Sequence, residues 1–487
     1  MKWVKHPLIL EINTLPWLHY LSEKYQEKVT LKTLPEEVME EFRNYDAVWL
    51  MGVWKRSKIS QKIAQEHTEL QEEYKIALPD YSAVDVIGSP YSIQKYSGDL
   101  RIGGNKGLDA FHKQLNDQGK GLILDFVPNH TALDHIWVNN FPELYIEGSF
   151  SALLQNPGLF AKVNGKSFAH GKDPYFLPWT DTLQLNAFSE EYRKQALQTL
   201  LDIQKYCEGV RCDMAMLAVN TVFMKTWGQF VEERPKTEFW DGIIPAVKDK
   251  DPDFKFIAEV YWDMEWELMN QGFDYCYDKT LYDRILYDPA RSVRGHLQAD
   301  WEYSTKLIRF IENHDEKRAT STFGLEESKA AATITLCLPG ARLVHYGQQL
   351  GYETKLPIQL QRWSQTEATN VEIKRFYNDL TTIIHDYLTK SNLWNVGRVY
   401  KENTPGPENP MVSYYWNLNR FIIYVIVNFS AQKVDCVLDL STHRQDISYK
   451  VTSLLHQNCK KEAAELNGSI IHLNFDPWGI QILKLSY

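Results

Sequence analysis

Charged and polar side chains stand where several short apolar runs end. Arg211 and Asp213 lie two residues apart in GVRCDMAM, and Glu259 lies within FIAEVYW. A charge beside a buried strand is costly unless it is paired or has a chemical task. The residues in such places are Asp125, Asn129, His130, Arg211, Asp213, Glu259, His314 and Asp315.

Three carboxylates from different runs would suit acid-assisted displacement at an acetal carbon. Retaining glycoside cleavage needs one ionised carboxylate as nucleophile and one protonated carboxylic acid, with the two carboxyl groups about 5 Å apart. Asp213 beside Arg211 suits the nucleophile, because the cation keeps it ionised. Glu259 in its apolar run suits the acid, because burial and negative neighbours raise a carboxyl pKa. Asp315 could bind sugar hydroxyl groups.

Each of these residues also has an ordinary structural explanation. An aspartate after a strand is commonly a helix N-cap, and a lone histidine in such a loop is commonly a hydrogen-bonded structural residue. Arg211 could form a structural ion pair. A metal site is a further alternative, although no pair has the i, i+4 spacing of a helical zinc motif. The joint placement at several strand ends favours chemistry.

The elements that must position these residues alternate between short β-rich runs and longer amphipathic segments. Eight such runs separated by helices predict an α/β fold, a (β/α)8 TIM barrel whose site lies at the carboxyl ends of the strands. A doubly wound open sheet is the competing topology. The runs cover residues 8–14, 47–54, 121–130, 209–216, 254–262, 273–279, 307–315 and 341–349.

Two departures from this alternation predict further domains. The third run is followed by about 58 residues with little helical periodicity, which is long for a loop and predicts a small inserted domain at 131–188. The barrel is then formed by residues 1–130 and 189–391. Alternating runs such as SYYWNLNRFIIYVIVNFS predict a C-terminal antiparallel β-sandwich at 392–487.

Composition limits the classes of partner and the compartment. The net charge of −10 and the lack of a basic run argue against nucleic acid as a partner. No apolar run is long enough to span a membrane, and no secretory cleavage site follows the first residues. Six scattered cysteines suit reduced thiols, so we expect a cytoplasmic protein. The 15 Trp and 27 Tyr fit either a large aromatic core or a sugar-stacking surface.

Four stretches, DFVPNH, GVRCDMAML, IAEVYW and ENHD, resemble the motifs of glycoside hydrolase family 13, the α-amylase family, in the family's order. Two weaker stretches agree, GSPYSIQKY and PGARLVHYGQQLG. The resemblance covers roughly residues 8 to 390 and continues into DPWGIQILKL near the end of the chain.

The resemblance implies a role for each matching position. Asp213 matches the nucleophile, Glu259 the general acid/base, and Asp315 the carboxylate that stabilises the distorted sugar. The substrate-binding positions that the resemblance implies are Tyr91 as an aromatic platform, Arg211 as the group that orients the nucleophile, and His130 and His314 as hydroxyl-binding side chains.

The resemblance implies no cofactor for the chemistry. Asn129 matches a calcium-binding position of typical α-amylases, but Gln184 stands where those enzymes often have an acidic ligand. Calcium prefers carboxylates, so a structural metal is left open here.

The expected function is that of a retaining α-glucan-active glycoside hydrolase that cleaves α-1,4-glucosidic bonds by double displacement. Its substrate would be an α-glucan or a small glucoside. Residues 214–217 lack the Lys-His pair of many α-amylases, which argues against simple endo-acting starch hydrolysis. An α-glucan transglycosylase or a sucrose- or trehalose-type enzyme is the main alternative. A non-catalytic, transporter-associated relative is a further one, although such proteins typically lose carboxylates that this chain keeps.

Overall fold

The computed structural model describes residues 3–231, 233–364, 367–389, 391, 393–401, 409–443, 448–459, 463–466 and 469–486. Eight parallel strands pair in chain order and close into a barrel, which confirms the predicted (β/α)8 architecture. These strands are β1 (Leu8–Asn13), β2 (Ala47–Met51), β3 (Gly121–Phe126), β4 (Gly209–Cys212), β5 (Lys255–Ala258), β6 (Tyr275–Tyr277), β7 (Leu307–Arg309) and β8 (Ala341–His345).

The barrel closes because its strands are apolar and buried along almost their whole length. All six residues of β1 are buried, and Glu11 is paired in register with Trp49 of β2 on one side and His345 of β8 on the other. Continuous apolar strands of this kind are stable only when both faces are covered, here by side chains inside and helices outside.

The helices lie between the strands and in the connections. The helix Glu190–Ile203 begins after Ser189, whose hydroxyl accepts from the Tyr192 N–H, and the helix Lys279–Tyr287 begins after Asp278, whose carboxylate accepts from the Leu281 N–H. The α-helices are α1 (Thr14–Tyr25), α2 (Glu36–Glu40), α3 (Lys58–Glu66), α4 (Thr68–Ala77), α5 (Gly104–Asp117), α6 (Ile136–Asn140), α7 (Phe150–Gln155), α8 (Glu190–Ile203), α9 (Asn220–Trp227), α10 (Phe239–Lys248), α11 (Glu265–Asn270), α12 (Lys279–Tyr287), α13 (Ala290–His296), α14 (Trp301–Thr305), α15 (Ala319–Phe323), α16 (Leu325–Leu336) and α17 (Val371–Ile383).

The segment after β3, predicted as an inserted domain, contains short elements. The strands His130–Ala132 and Thr182–Gln184 pair with each other, as do Phe160–Val163 and Lys166–Ala169. A third two-stranded ribbon, Trp54–Arg56 with Ile93–Gly98, extends the connection after β2. The domain boundaries at 131 and 188 stay a prediction.

The C-terminal part is an antiparallel β-domain. Its eight strands are connected through the long last one, which pairs with three others. They are β9 (Leu393–Val396), β10 (Arg398–Lys401), β11 (Met411–Leu418), β12 (Phe421–Asn428), β13 (Val434–Asp439), β14 (Tyr449–Cys459), β15 (Ala463–Leu466) and β16 (Ile470–Ser486). The domain contacts the barrel at α16, where the Tyr414 hydroxyl donates to the Ile334 carbonyl oxygen at 2.7 Å.

Most of the large aromatic side chains belong to the core. Trp17, Trp49, Trp54, Trp227, Trp240 and Trp416 are fully buried, whereas Trp262 and Trp266 are exposed. In the described part of the chain, no helix has both the length and the apolar character that a membrane crossing requires.

Several barrel strands end earlier than predicted. The fifth ends at Ala258 and the seventh at Arg309, whereas the apolar runs continue to residues 262 and 315. Most of the additional residues are buried in loops above the barrel, although Trp262 and Asp315 are exposed, so burial alone did not mark the end of the strand. These loops carry Glu259, His314 and Asp315.

Candidate active site

Arg211 joins the two carboxylates that the sequence predicted to work as a pair. It extends from β4, and its Nη1 lies 2.7 Å from Asp213 Oδ1 while its Nη2 lies 2.7 Å from Glu259 Oε2. Both carboxylates are nearly buried, with 8% and 5% of their side chains exposed. Two carboxyl groups held by one guanidinium are close neighbours, which suits the spacing of about 5 Å in retaining glycosidases.

Glu259 is held at both of its oxygens by groups that sequence reasoning did not identify. The Met214 N–H donates to Oε2 at 2.7 Å, and the Tyr261 hydroxyl donates to Oε1 at 2.9 Å. Met214 has a left-handed φ of 44°, a strained conformation for this residue type, and its N–H points towards Glu259. Burial raises the pKa of Glu259 to about 7, with Asp213 and Asp315 adding to the effect against Arg211. A carboxyl group with this pKa can carry a proton near neutral pH.

His314 links the first strand of the barrel to the seventh. Its Nδ1 lies 2.5 Å from Glu11 Oε1, and its Nε2 lies 2.8 Å from the Tyr91 hydroxyl and 3.1 Å from Asp315 Oδ2. Although burial opposes the charge, Asp315 and Glu11 raise the pKa of His314 to about 10. His314 is therefore an imidazolium that donates from both nitrogens.

Asp315 is the accessible carboxylate of the three. Its side chain is 43% exposed, so it can contact a ligand directly. Partial desolvation opposes its ionisation, but the neighbouring His314 imidazolium holds the pKa of Asp315 well below its usual range. It is therefore a permanent negative charge on the cavity wall.

Aromatic rings surround the guanidinium. Arg211 Cζ lies 5.1 Å from the Tyr91 ring centroid, 5.3 Å from that of Trp49 and 5.8 Å from that of Tyr277. These rings exclude water and add cation–π attraction, which holds Arg211 in place beneath the carboxylates. His130 lies against the ring of Trp179 at 5.1 Å, and burial lowers its pKa, so its imidazole is neutral.

All three carboxylates open into one cavity of about 500 Å³. Its wall includes Tyr91 and His130 from the predicted set. The remaining wall comes from α3 and α4, from the loop around Trp179 and Asp181, and from Ile358 and Gln359 after β8. This volume is that of a small-ligand site.

Two accessible aromatic residues lie on loops that also carry residues of the cavity wall. The rings of Tyr175 and Trp262 meet edge to face with centroids 4.9 Å apart, and both side chains are accessible. Trp262 and Asp263, shortly after Glu259, have left-handed φ values of 64° and 56°, a strained backbone conformation. Flat aromatic faces of this kind suit sugar rings.

The residues that the resemblance associates with calcium are hydrogen-bonded to each other. The Gln184 side-chain NH₂ donates to the Asn129 carbonyl oxygen, to Asn129 Oδ1 and to the Leu185 carbonyl oxygen, at 2.9, 2.9 and 3.0 Å. A donor therefore lies among the oxygens that would otherwise face a cation. Within the described ranges, no group of three or more His, Cys, Asp or Glu side chains could hold a metal ion.

The structure thus brings together the seven residues predicted for catalysis and substrate binding, since five line the cavity and Arg211 and His314 contact them. It adds Glu11, which the sequence presented only as an interruption of an apolar run. It also adds Asp181, whose Oδ2 accepts from the Ser60 hydroxyl at 2.6 Å beside the cavity. A carboxylate inside the first barrel strand was a usable signal for Glu11. Asp181 lies in an irregular segment that gave none.

No family model matches the chain, but curated proteins are similar to it. It is 22% identical to alpha-amylase MalA of Haloarcula japonica over 71% of this chain and 48% of that protein. It is also 22% identical to alpha-amylase 3 of Dictyoglomus thermophilum over 50% of each. A third relative is the 1,4-alpha-glucan branching enzyme GlgB of Clostridium perfringens, 21% identical over 71% of this chain and 56% of that enzyme. The chain spans about half the length of the curated relatives it matches.

Solved structures share the whole fold. A noncanonic maltogenic alpha-amylase AmyB from Thermotoga neapolitana has a TM-score of 0.69 at 18% identity, with 99% of both chains covered. An alpha-amylase from Lactobacillus plantarum also has a TM-score of 0.69, at 17% identity, covering 98% of this chain and 99% of that one. The trehalose-6-phosphate hydrolase of Bacillus licheniformis has a TM-score of 0.67 at 14% identity over both full chains.

Proposed function

We propose that this chain, which belongs to glycoside hydrolase family 13, the α-amylase family, is a retaining α-glucan-active glycoside hydrolase. The observation that carries the proposal is the Asp213–Arg211–Glu259 arrangement, in which one guanidinium lies 2.7 Å from each carboxylate at a ligand-sized cavity. The alpha-amylase names of several relatives support the substrate class.

The proposed reaction has two displacements at the anomeric carbon. Asp213 attacks C1 while Glu259 gives its proton to the glycosidic oxygen, so the C1–O bond breaks and a glycosyl ester of Asp213 forms. Glu259, now a carboxylate, takes a proton from water, whose oxygen attacks C1 and releases Asp213. Arg211, whose Nη1 lies 2.7 Å from Asp213 Oδ1, orients Asp213 for the attack, while Asp315 and His314 hold the hydroxyl groups of the sugar.

The accepting molecule decides between hydrolysis and the main alternative. A sugar hydroxyl in place of water would make the enzyme a transglycosylase, and a branching enzyme is among the relatives. The test is a chromatographic product profile on maltoheptaose, soluble starch, pullulan, sucrose and trehalose, with Asp213→Asn as the blank. Hydrolysis predicts short maltooligosaccharides that are released first as α-anomers. Longer oligomers or new disaccharides would identify a transglycosylase, and no product from any substrate would contradict the proposal.

The pKa of Glu259 sets the pH dependence. Because the acid must be protonated to assist the leaving group, kcat/KM on maltoheptaose should fall as pH rises through about 7, by about tenfold per pH unit beyond it. For α-glucosyl fluoride, whose leaving group needs no proton, this alkaline fall should be absent. Identical profiles for the two substrates would contradict the assignment of Glu259 as the acid.

We propose that the fold does not depend on calcium, because the Gln184 amide fills the place between Asn129 and Leu185. Excess EDTA should leave both the Tm and kcat of the protein unchanged. Gln184→Glu should lower stability by about 1–3 kcal/mol, because carbonyl oxygens lose a buried donor, and added calcium should restore part of the loss in that variant alone. A calcium-dependent Tm in the unmodified protein would contradict the proposal.

We also propose a cytoplasmic location. Cys207, Cys212, Cys276 and Cys337 are buried thiols outside any disulfide, which suits a reducing compartment. Recovery of the native protein from a periplasmic or culture fraction would contradict this.

A further inference from the structure

A second cavity, distinct from the active-site cavity, concentrates positive charge. It has a volume of about 480 Å³ and lies where the Trp54–Arg56 and Ile93–Gly98 ribbon meets the start of α3. We call it the basic cavity. Its charged lining consists of one carboxylate and five cations, which are Asp99, Lys55, Arg56, Lys58, Lys95 and Arg101.

Two of these cations face each other without compensation. Lys55 and Lys95 are exposed Cα partners across the ribbon, with a register irregularity on either side of Lys55, and in the part of the chain that the structure describes neither has an ion pair. Like charges directly opposite on an antiparallel pair are destabilising. The free protein therefore contains a local repulsion, which a bound anion would relieve.

The acidic residue of the cavity does not offset these lysines. Asp99 is bound by Arg101 through both of its oxygens, at 2.9 Å from Nε and 2.7 Å from Nη2. Among the residues that the structure describes, the Lys58 ammonium donates only to the neutral Gln61 side chain, at 3.0 Å.

Arg56 adds a buried charge to the cavity lining. It is 4% exposed, and its Nη1 donates to the Gly88 and Ile358 carbonyl oxygens at 2.6 and 3.1 Å. Its Nε and Nη2 have no hydrogen-bond partner, and no carboxylate of the described residues forms an ion pair with it. Burial and the neighbouring Arg101 lower the pKa of Arg56 to about 9, so it remains a cation at neutral pH. An unpaired buried guanidinium is costly.

The backbone at the N-terminus of α3 also favours an anion in the basic cavity. The nine-residue α3 begins at Lys58, so the positive end of its dipole lies at the cavity. Helix N-termini favour anions, and here this end coincides with the uncompensated side chains. The location is notable because the whole chain carries a net charge of −10.

We propose that the basic cavity binds a phosphate group, carried either as inorganic phosphate or as the phosphate ester of a small molecule. Lysine ammonium groups and a helix N-terminus together match the charge of a phosphate. The volume exceeds that of the phosphate group alone and lies in the range of sites for small organic ligands. The proposal does not depend on the proposed glycosidase activity.

The test measures thermal stability and binding at constant ionic strength with four solutes, namely inorganic phosphate, glucose 1-phosphate, glucose and chloride. Both phosphate compounds should raise Tm in a saturable way and by more than glucose, which the proposed active site can bind, and chloride should not. Tighter binding of glucose 1-phosphate would identify the ester as the ligand, whereas equal affinities would identify the phosphate group alone. No saturable effect of either phosphate compound would overturn the proposal.

The decisive variant is Lys55→Gln combined with Lys95→Gln. It should weaken phosphate binding by at least about tenfold, because two charge-assisted contacts are lost. In phosphate-free buffer the same variant should have a higher Tm than the parent protein, because the cross-strand repulsion is removed. Turnover of maltoheptaose should not change, which separates this site from the active one.

The matched control is Lys113→Gln combined with Lys162→Gln, two exposed lysines without ion pairs in the described chain. It removes the same net charge from elsewhere and should leave phosphate binding as in the parent protein. Equal phosphate affinity in the Lys55/Lys95 variant and the parent, or an equal loss in the control, would overturn the proposal. The single variant Lys95→Gln provides the same comparison if the double variant is unstable.

Discussion

Asp213→Asn is expected to lower kcat on maltoheptaose by about 10⁴-fold or more while the protein stays folded. The amide has nearly the same shape as the carboxylate and can still accept from Arg211, but it is too weak a nucleophile to attack C1. Because the loss is in the first displacement, α-glucosyl fluoride should be affected as severely as maltoheptaose. Initial rates on both substrates and a thermal melt measure the effect.

The matched control is Asp253→Asn, the same chemical change at an exposed residue before β5, at the end of the barrel opposite the site. It should keep full activity. Turnover by Asp213→Asn within tenfold of that of the control would exclude Asp213 as the nucleophile.

The second large effect is expected from Glu259→Gln, and it depends on the leaving group. Loss of the proton donor should slow the first displacement on maltoheptaose by about 10³-fold, because the alkoxide leaving group then departs without a proton. Fluoride needs none, so a rapid first turnover of α-glucosyl fluoride should remain. The second displacement, which needs Glu259 as base, should then be slow, and the glycosyl enzyme should accumulate.

Rapid-quench measurement of fluoride release distinguishes these steps. Glu143→Gln, an exposed position in the segment after β3, is the control and should match the parent protein on both substrates. If Glu259→Gln loses the first turnover of α-glucosyl fluoride as fully as it loses maltoheptaose cleavage, then Glu259 is not the acid.

The barrel could be predicted because each of its strands is buried on both faces and therefore apolar almost throughout. For the same reason the ends of the strands could not be predicted, since residues such as Val260 and Ile311 remain buried in the loops that follow the strands. The C-terminal domain was predicted from its two longest runs. Shorter strands such as Arg398–Lys401 have too few residues for their alternation to be read.

The site residues that follow barrel strands could be predicted from the sequence. Contacts that form only when the barrel closes could not. Glu11 and His314 are 303 residues apart and meet only because the first strand closes against the eighth beside the seventh. The left-handed conformation of Met214 could not be predicted from its residue type, because methionine rarely adopts this conformation. Asp181 could not be placed because the irregular segment that carries it has no periodicity.

The most direct test of the central claim is mass spectrometry of the Glu259→Gln variant mixed with α-glucosyl fluoride. The proposed mechanism predicts an increase in mass by one glucosyl residue, located on the peptide that contains Asp213 and absent from the Asp213→Asn, Glu259→Gln double variant. An adduct on another residue would contradict Asp213 as the nucleophile. Rapid fluoride release without any adduct would contradict the double-displacement mechanism itself.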